Sequence, residues 1–175
     1  MSTNNINQNL TNLASPKIGT KIIEVSDDFF GEASRMLDDK EPVFIEDKYD
    51  EHGKWMDGWE SKRRRDGGND WAIIELGSPG IITEIDIDTS FFTGNFPPFA
   101  SIEGIYSDKK PSKDSDWIEI LSKTSLKGNS DNKFKIESKT KVNYIKLQIF
   151  PDGGVARLRL FGEVKLNWDI YNNKN

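Results

Sequence analysis

The chain has 175 residues, 35% hydrophobic and 30% charged, with 24 basic against 29 acidic side chains and a net charge of -5. That length fits one domain with a core of its own, and the acidic balance argues against a nonspecific nucleic-acid surface. With no cysteine and a single histidine, His52, disulfides, thiolate zinc sites, cysteine nucleophiles and intrachain histidine pairs are excluded.

From the start, MSTNNINQNLTN has neither the basic nor the apolar region of a signal peptide, and no apolar run approaches the ~20 residues that cross a bilayer. A cytoplasmic protein without a membrane partner is therefore expected. Residues 1–12, with Asn4, Asn5, Asn7, Asn9 and Asn12, and residues 166–175 are expected to be polar tails around a domain at 13–165. Lys21 to Val25 reads as a strand. Asp27 to Leu37 reads as the one helix, with Ser26 as N-cap, two aspartates in the first turn and Phe29, Phe30, Ala33 and Leu37 at helical spacing. The basic run Lys62-Arg63-Arg64-Arg65 reads as a solvated loop able to hold a carboxylate.

Strands are then predicted at Trp71 to Leu76, Ile81 to Asp88, Phe99 to Tyr106, Trp117 to Leu121, Lys133 to Ile136, Val142 to Phe150 and Val155 to Val164. In Val142 to Phe150, Ile145, Leu147 and Ile149 share one face and Lys146 and Gln148 the other. In the last strand Ala156, Leu158 and Leu160 alternate with Arg157 and Arg159. Pro151-Asp152-Gly153-Gly154 reads as the turn of a hairpin joining these two strands. About eight short strands and one short helix predict an all-β fold, an antiparallel jelly-roll β-sandwich.

Three connections hold the candidate chemistry. Gly53 to Glu60 interleaves Trp55 and Trp59 with Asp57 and Glu60; the tryptophans either face a ligand or plug the sandwich end, their indole N–H groups bonded to backbone carbonyls. Asp86 to Pro98 leaves a strand through Asp86 and Asp88, which repel each other unless a cation or a ligand N–H array lies between them, and continues to Asn95. Pro151 to Arg159 places Asp152 near two guanidinium groups, which meet either Asp86 and Asp88 across the sheet or a substrate carboxylate. As strand connections, the three are expected to gather at one end of the sandwich.

The strings SDDFFGEASRML (26–37), KWMDGWE (54–60), DWAIIEL (70–76), DIDTSFFTGNFPPFASIE (86–103) and YIKLQIFPDGGVARLRLFGEV (144–164) resemble one repeat of the allantoicases, over Leu13 to Val164. The resemblance implies a galactose-binding-domain-like jelly roll and hydrolysis of allantoate to ureidoglycolate and urea. The family carries two related repeats, and this sequence holds one. Where the family tends to read Thr-Arg-Arg and then Gly-His-Asp-Trp, this chain has Ser61-Lys62-Arg63 and Gly68-Asn69-Asp70-Trp71. Lysine in place of arginine loses bidentate geometry at that point.

The reaction breaks an aminal C–N bond, so it calls for a cation on the carboxylate, acceptors for ureido N–H groups, an acid and a base. Matching those needs to the residue types of the three connections assigns Arg157, with Arg63 or Lys62 second, to the carboxylate; Asp57 and Glu60 to the ureido groups; and Asp88 or Glu103 to acid–base work. Trp55, Trp59, Asn95 and Asp152 complete the expected substrate shell. A cofactor is not required, and a divalent cation, if used, would have oxygen ligands that suit Mn or Mg. Allantoate and a second copy of the chain are the expected partners, nucleic acid and membrane are not. A non-catalytic module for a small ligand or carbohydrate, and a degenerate family member, are the competing readings.

Overall fold

The computed structural model describes residues 10–166; the asparagines at positions 4 to 9 and those after 166 lie outside the described residues. Twelve strands follow in chain order: β1 (Thr11–Asn12), β2 (Lys21–Val25), β3 (Tyr49–Asp50), β4 (Gly53–Lys54), β5 (Trp59–Glu60), β6 (Asp70–Asp88), β7 (Phe99–Ile105), β8 (Ile118–Ser125), β9 (Lys133–Lys135), β10 (Val142–Phe150), β11 (Gly154–Val155) and β12 (Arg157–Val164). Eight of them form one antiparallel sheet.

β6 organises that sheet. The two strands expected at Trp71 to Leu76 and Ile81 to Asp88 are halves of this single 19-residue strand. Its first half pairs with β2 and β10, its second with β12 and β9, so the sheet folds over into the layers β2-β6-β10-β7-β8 and β1-β12-β6-β9. The apolar sides of both layers meet in one core: Ile74, Ile145 and Leu147 from the first, Ile85, Ile87, Leu158 and Leu160 from the second. Each such side chain withdrawn from water contributes about 1.5–3 kcal/mol. The period-2 alternation thus has the cause the sequence suggested, a sandwich with one wet side to each layer.

Four local expectations are corrected. Residues 27–37 are not one helix: only Ala33–Leu37 is helical, as a 3₁₀ turn. The backbone before it is engaged elsewhere, since Phe30 and Gly31 N–H groups donate to the Glu60 carbonyl (3.1 Å each) and the Asp27 carbonyl accepts the Trp59 indole. Ser26 caps nothing there; its hydroxyl donates to Asp70 (2.8 Å). Second, β10 and β12 do not form a hairpin, because β6 lies between them; Gly154 and Val155 pair instead with Glu60 and Trp59. Third, Thr11 and Asn12 are not tail but strand, paired with Gly162 and Phe161, and Leu13 is fully buried beyond them. Fourth, the strand expected from Trp117 to Leu121 begins at Ile118 and runs to Ser125.

Candidate active site

The three connections do gather at one end. The Gly154 N–H donates to the Asn95 carbonyl (2.8 Å), the Ala156 N–H to the Asp88 carbonyl (2.8 Å), and Gly58 lies against the backbone of Val155 and Ala156. They meet as a plug rather than a pocket: Met56, Phe92 and Ala156 form a second small core there, with Phe96 against it. Trp59 is fully buried and its indole donates to the Asp27 carbonyl (2.8 Å), so it seals the end and faces no ligand. Trp55 is half-buried between two cations, Lys48 at 4.0 Å and Arg35 at 5.2 Å from its ring.

Arg157 is corrected from substrate cation to internal strut. It is 1% exposed; Nη2 and Nη1 form a fork on the Asp57 carboxylate (2.8 and 3.2 Å), while Nε donates to Lys40 O and Nη1 to Arg35 O. Asp57 also accepts the Val43 N–H (3.0 Å), so neither residue is open to a ureido group. Register does place Arg157 opposite Asp88 and Arg159 opposite Asp86. Yet Arg159 turns to the carbonyls of Asp38 and Asp39 and to Glu41 (3.6 Å). Asp88 is buried, accepting the Ser90 N–H (2.7 Å), and burial raises its pKa. Asp86 beside it is pushed up to about 7, first by burial and then by the neighbouring Asp131 and Asp88 carboxylates against Lys133.

Glu60, Asn95 and Asp152 do come together. Asn95 donates to Glu60 (3.0 Å); burial, with Asp152 nearby, raises the Glu60 pKa against that bond. Asp152 in turn accepts the Arg64 N–H (2.7 Å). Lys62 and Arg63 are exposed; the Lys62 backbone N–H donates to Asp27 and its ammonium lies 4.2 Å from the Phe29 ring.

The open space lies beside this plug, on the wet side of the first layer. There a polar groove of about 580 Å³ is lined by Ser26, Arg64, Asn69, Trp71, Lys146 and Gln148, with Lys113 and Asp114 at its edge. A shelf of about 480 Å³, carrying Phe99, Phe150 and Lys123, continues from it through Gly68 and Asn69. Alternation on β10 points Lys146 and Gln148 outward, and register sets Lys146 opposite Glu103 on β7. The result is a chain of bonds: Asn69 donates to Gln148 (3.2 Å), Gln148 donates to Glu103, and Lys146 closes on Glu103 (3.0 Å) while donating to Lys113 O (2.9 Å). Of the two residues expected to do acid–base work, Glu103 is therefore bonded to two side chains that line the groove without lining it itself, and stands apart from Asp88.

Arg64 supplies the groove's cation. Nε and Nη2 grip Asp66 (3.1 and 2.8 Å), and Nη1 reaches the fully buried Asp70 (2.8 Å). These contacts use three of the five N–H groups of a guanidinium, leaving two for a ligand. They also raise the pKa of Arg64, chiefly through the bonds to Asp66 and Asp70. Asp70 holds Ser26 and Arg64 on one oxygen, and its other oxygen has no partner among the described residues. The donor set does not fit a divalent cation: Glu103 and Asp114 stand among Lys146, Lys113 and Arg64, and no group of three or more metal-binding side chains gathers among the described residues. Arg64 was legible only as one of a basic run. The roles of Lys146, Gln148 and Asn69 depend on strand register, which the sequence does not display.

Residues 11–165 match the family model for the allantoicase repeat. The chain is 50% identical over 157 residues to a probable allantoicase of Acinetobacter baylyi, covering 90% of this chain and 47% of that protein. It is 48% identical over 158 residues to probable allantoicase 1 of Burkholderia mallei, covering 90% and 47%. The crystal structure of allantoicase from Saccharomyces cerevisiae superposes with a TM-score of 0.80 at 34% identity, over 91% of this chain and 50% of that one. A carbohydrate-binding module of a glycoside hydrolase from Clostridium perfringens shares the fold alone, with a TM-score of 0.62 at 11% identity, over 89% and 96%. The chain spans about half the length of the allantoicases it matches.

Proposed function

We propose that this chain, which belongs to the allantoicase family, hydrolyses allantoate to ureidoglycolate and urea in the groove on the outer face of the first layer. One observation carries the reading: a single groove is lined by a half-buried guanidinium with two unused N–H groups and by the Lys146 ammonium, which the Glu103 carboxylate holds from beside the groove. Arg64 takes the substrate carboxylate. Asn69, Gln148 and Asp114 offer polar groups to the two ureido arms.

Lys146 is the proton source for the departing nitrogen. As the C–N bond breaks, the lone pair of the remaining ureido nitrogen closes onto the carbon, and water then adds to that carbon. Glu103 takes the proton from water and returns it to Lys146, so the pair ends as it began and the net change is one water consumed and one urea released. Location in the cytoplasm accords with this chemistry on a small soluble metabolite. The function is tested by urea release from allantoate by the purified chain. Saturable allantoate binding without urea would leave a binding module, and neither binding nor release would leave a degenerate family member.

A further inference from the structure

The outward row of β10 does not end with the groove. After Lys146 and Gln148 the next residue on that side is Phe150, and register sets it directly opposite Phe99 on β7, as Lys146 is set opposite Glu103. Two aromatic rings are thus placed on the wet side of the first layer, where Lys146, Gln148 and Glu103 put polar groups. Phe99 is 43% exposed and Phe150 is half-buried. From β8 the Lys123 ammonium lies over both, 4.3 Å from the Phe150 ring and 5.4 Å from that of Phe99. Lys123 is exposed and has no carboxylate partner among the described residues. Pro98 and Pro151 flank the rings, and Gly68 and Asn69 join this shelf to the groove.

Each part of the shelf selects one property of a ligand. An exposed ring pair favours a flat conjugated molecule over a puckered one, because only a flat molecule meets a ring across its whole face. The unpaired ammonium, on a flexible stem that lets it turn from the rings to a ligand, favours an anion. Asn69 favours a ring N–H: its amide nitrogen already donates to Asp70 O and Gln148 (3.1 and 3.2 Å), whereas its amide oxygen accepts no bond among the described residues. At about 580 Å³ the groove alone has the volume of a small-molecule site, so allantoate is accommodated without the shelf. We infer that the shelf is a second ligand site, for a planar heteroaromatic anion that stacks on Phe150 and Phe99, pairs its negative group with Lys123 and donates a ring N–H to Asn69. This site does not depend on turnover of allantoate in the groove.

Calorimetric titration of the intact chain with orotate, a flat ring bearing N–H groups and a carboxylate, tests this. Saturable binding with a Kd of about 1 mM or tighter is expected. Uracil, which lacks the carboxylate, and dihydroorotate, whose saturated ring is puckered, should each bind at least about tenfold more weakly. Orotate should lose affinity by at least about the same factor in Lys123→Gln and in Phe99→Ala, which change exposed side chains and should keep the wild-type circular dichroism. Orotate that does not bind, an analogue that binds within tenfold of it, or a variant that stays within tenfold of wild-type affinity would each overturn the inference. Orotate binding that Lys123→Gln keeps and Arg64→Gln abolishes would put the anion in the groove and overturn it equally.

Discussion

Two arginines decide how the site is read. Both stand near carboxylates, yet Arg157 is walled in by the fold, while Arg64 keeps part of its fork towards open space. Arg157→Lys should therefore lower stability by about 1.5–3 kcal/mol through loss of charged hydrogen bonds, equally with and without allantoate, as read by urea unfolding. Arg64→Lys, which keeps the charge but loosens the hold on the fully buried Asp70, should lower stability as well, and beyond that should weaken allantoate binding and reduce the stabilisation that allantoate gives, because a lysine offers no planar fork. Asp86 gives a prediction of the opposite kind. Its pKa stands near 7 in the folded chain, well above that of an exposed carboxyl, so the folded state holds the extra proton between those values. Its contribution is thus present in acid and lost as pH rises through 7. Asp86→Asn should flatten that decline and raise the melting point at pH 8 relative to wild type by about 2 °C or more, since 1 kcal/mol is worth ~2–4 °C in a domain of this size.

At the scale of elements, the turn between β10 and β11 binds the plug to the groove. Gly153 has φ +133, and a Cβ there would stand 2.7 Å from the Asn95 carbonyl oxygen. Its N–H donates to Ser61, and the adjacent Asp152 holds the Arg64 backbone. Gly153→Ala should cost about 1–3 kcal/mol, as strained backbone positions do, and amide exchange should show protection lost at Arg64 and Gly154. The bounds of β2 and β10 were legible to the residue, and on β10 the buried face of Ile145, Leu147 and Ile149 is the one that alternation marks, although Lys146 on the opposite face is largely covered too. The expected helix failed because helical spacing in residues 27–37 says nothing of Glu60, which takes the backbone N–H groups that helix would have used. The hairpin failed for a related reason: β10 and β12 adjoin in sequence, but the two halves of β6 pair with one each and separate them.

The whole molecule is a sandwich whose plugged end, where the sequence concentrates its unusual residues, and whose polar groove are neighbours and not the same place. Glu103 was legible as a candidate from the family strings, but its partners Lys146 and Gln148 read only as the wet side of a strand, since nothing local marks which β7 residue they face. The comparison that tests the groove most directly sets Glu103→Gln against Glu60→Gln in urea release from allantoate. Glu60→Gln should keep the wild-type melting curve, whereas Glu103→Gln, which takes the counter-ion from the largely buried Lys146, should melt lower while still folding, so rates are compared well below both transitions. Glu103→Gln should lose about 100-fold or more in kcat, the usual worth of a positioned acid–base group, with KM little changed, while Glu60→Gln should stay within about threefold of wild type. Urea release that survives Glu103→Gln and collapses with Glu60→Gln would move the chemistry to the loop end and contradict the account.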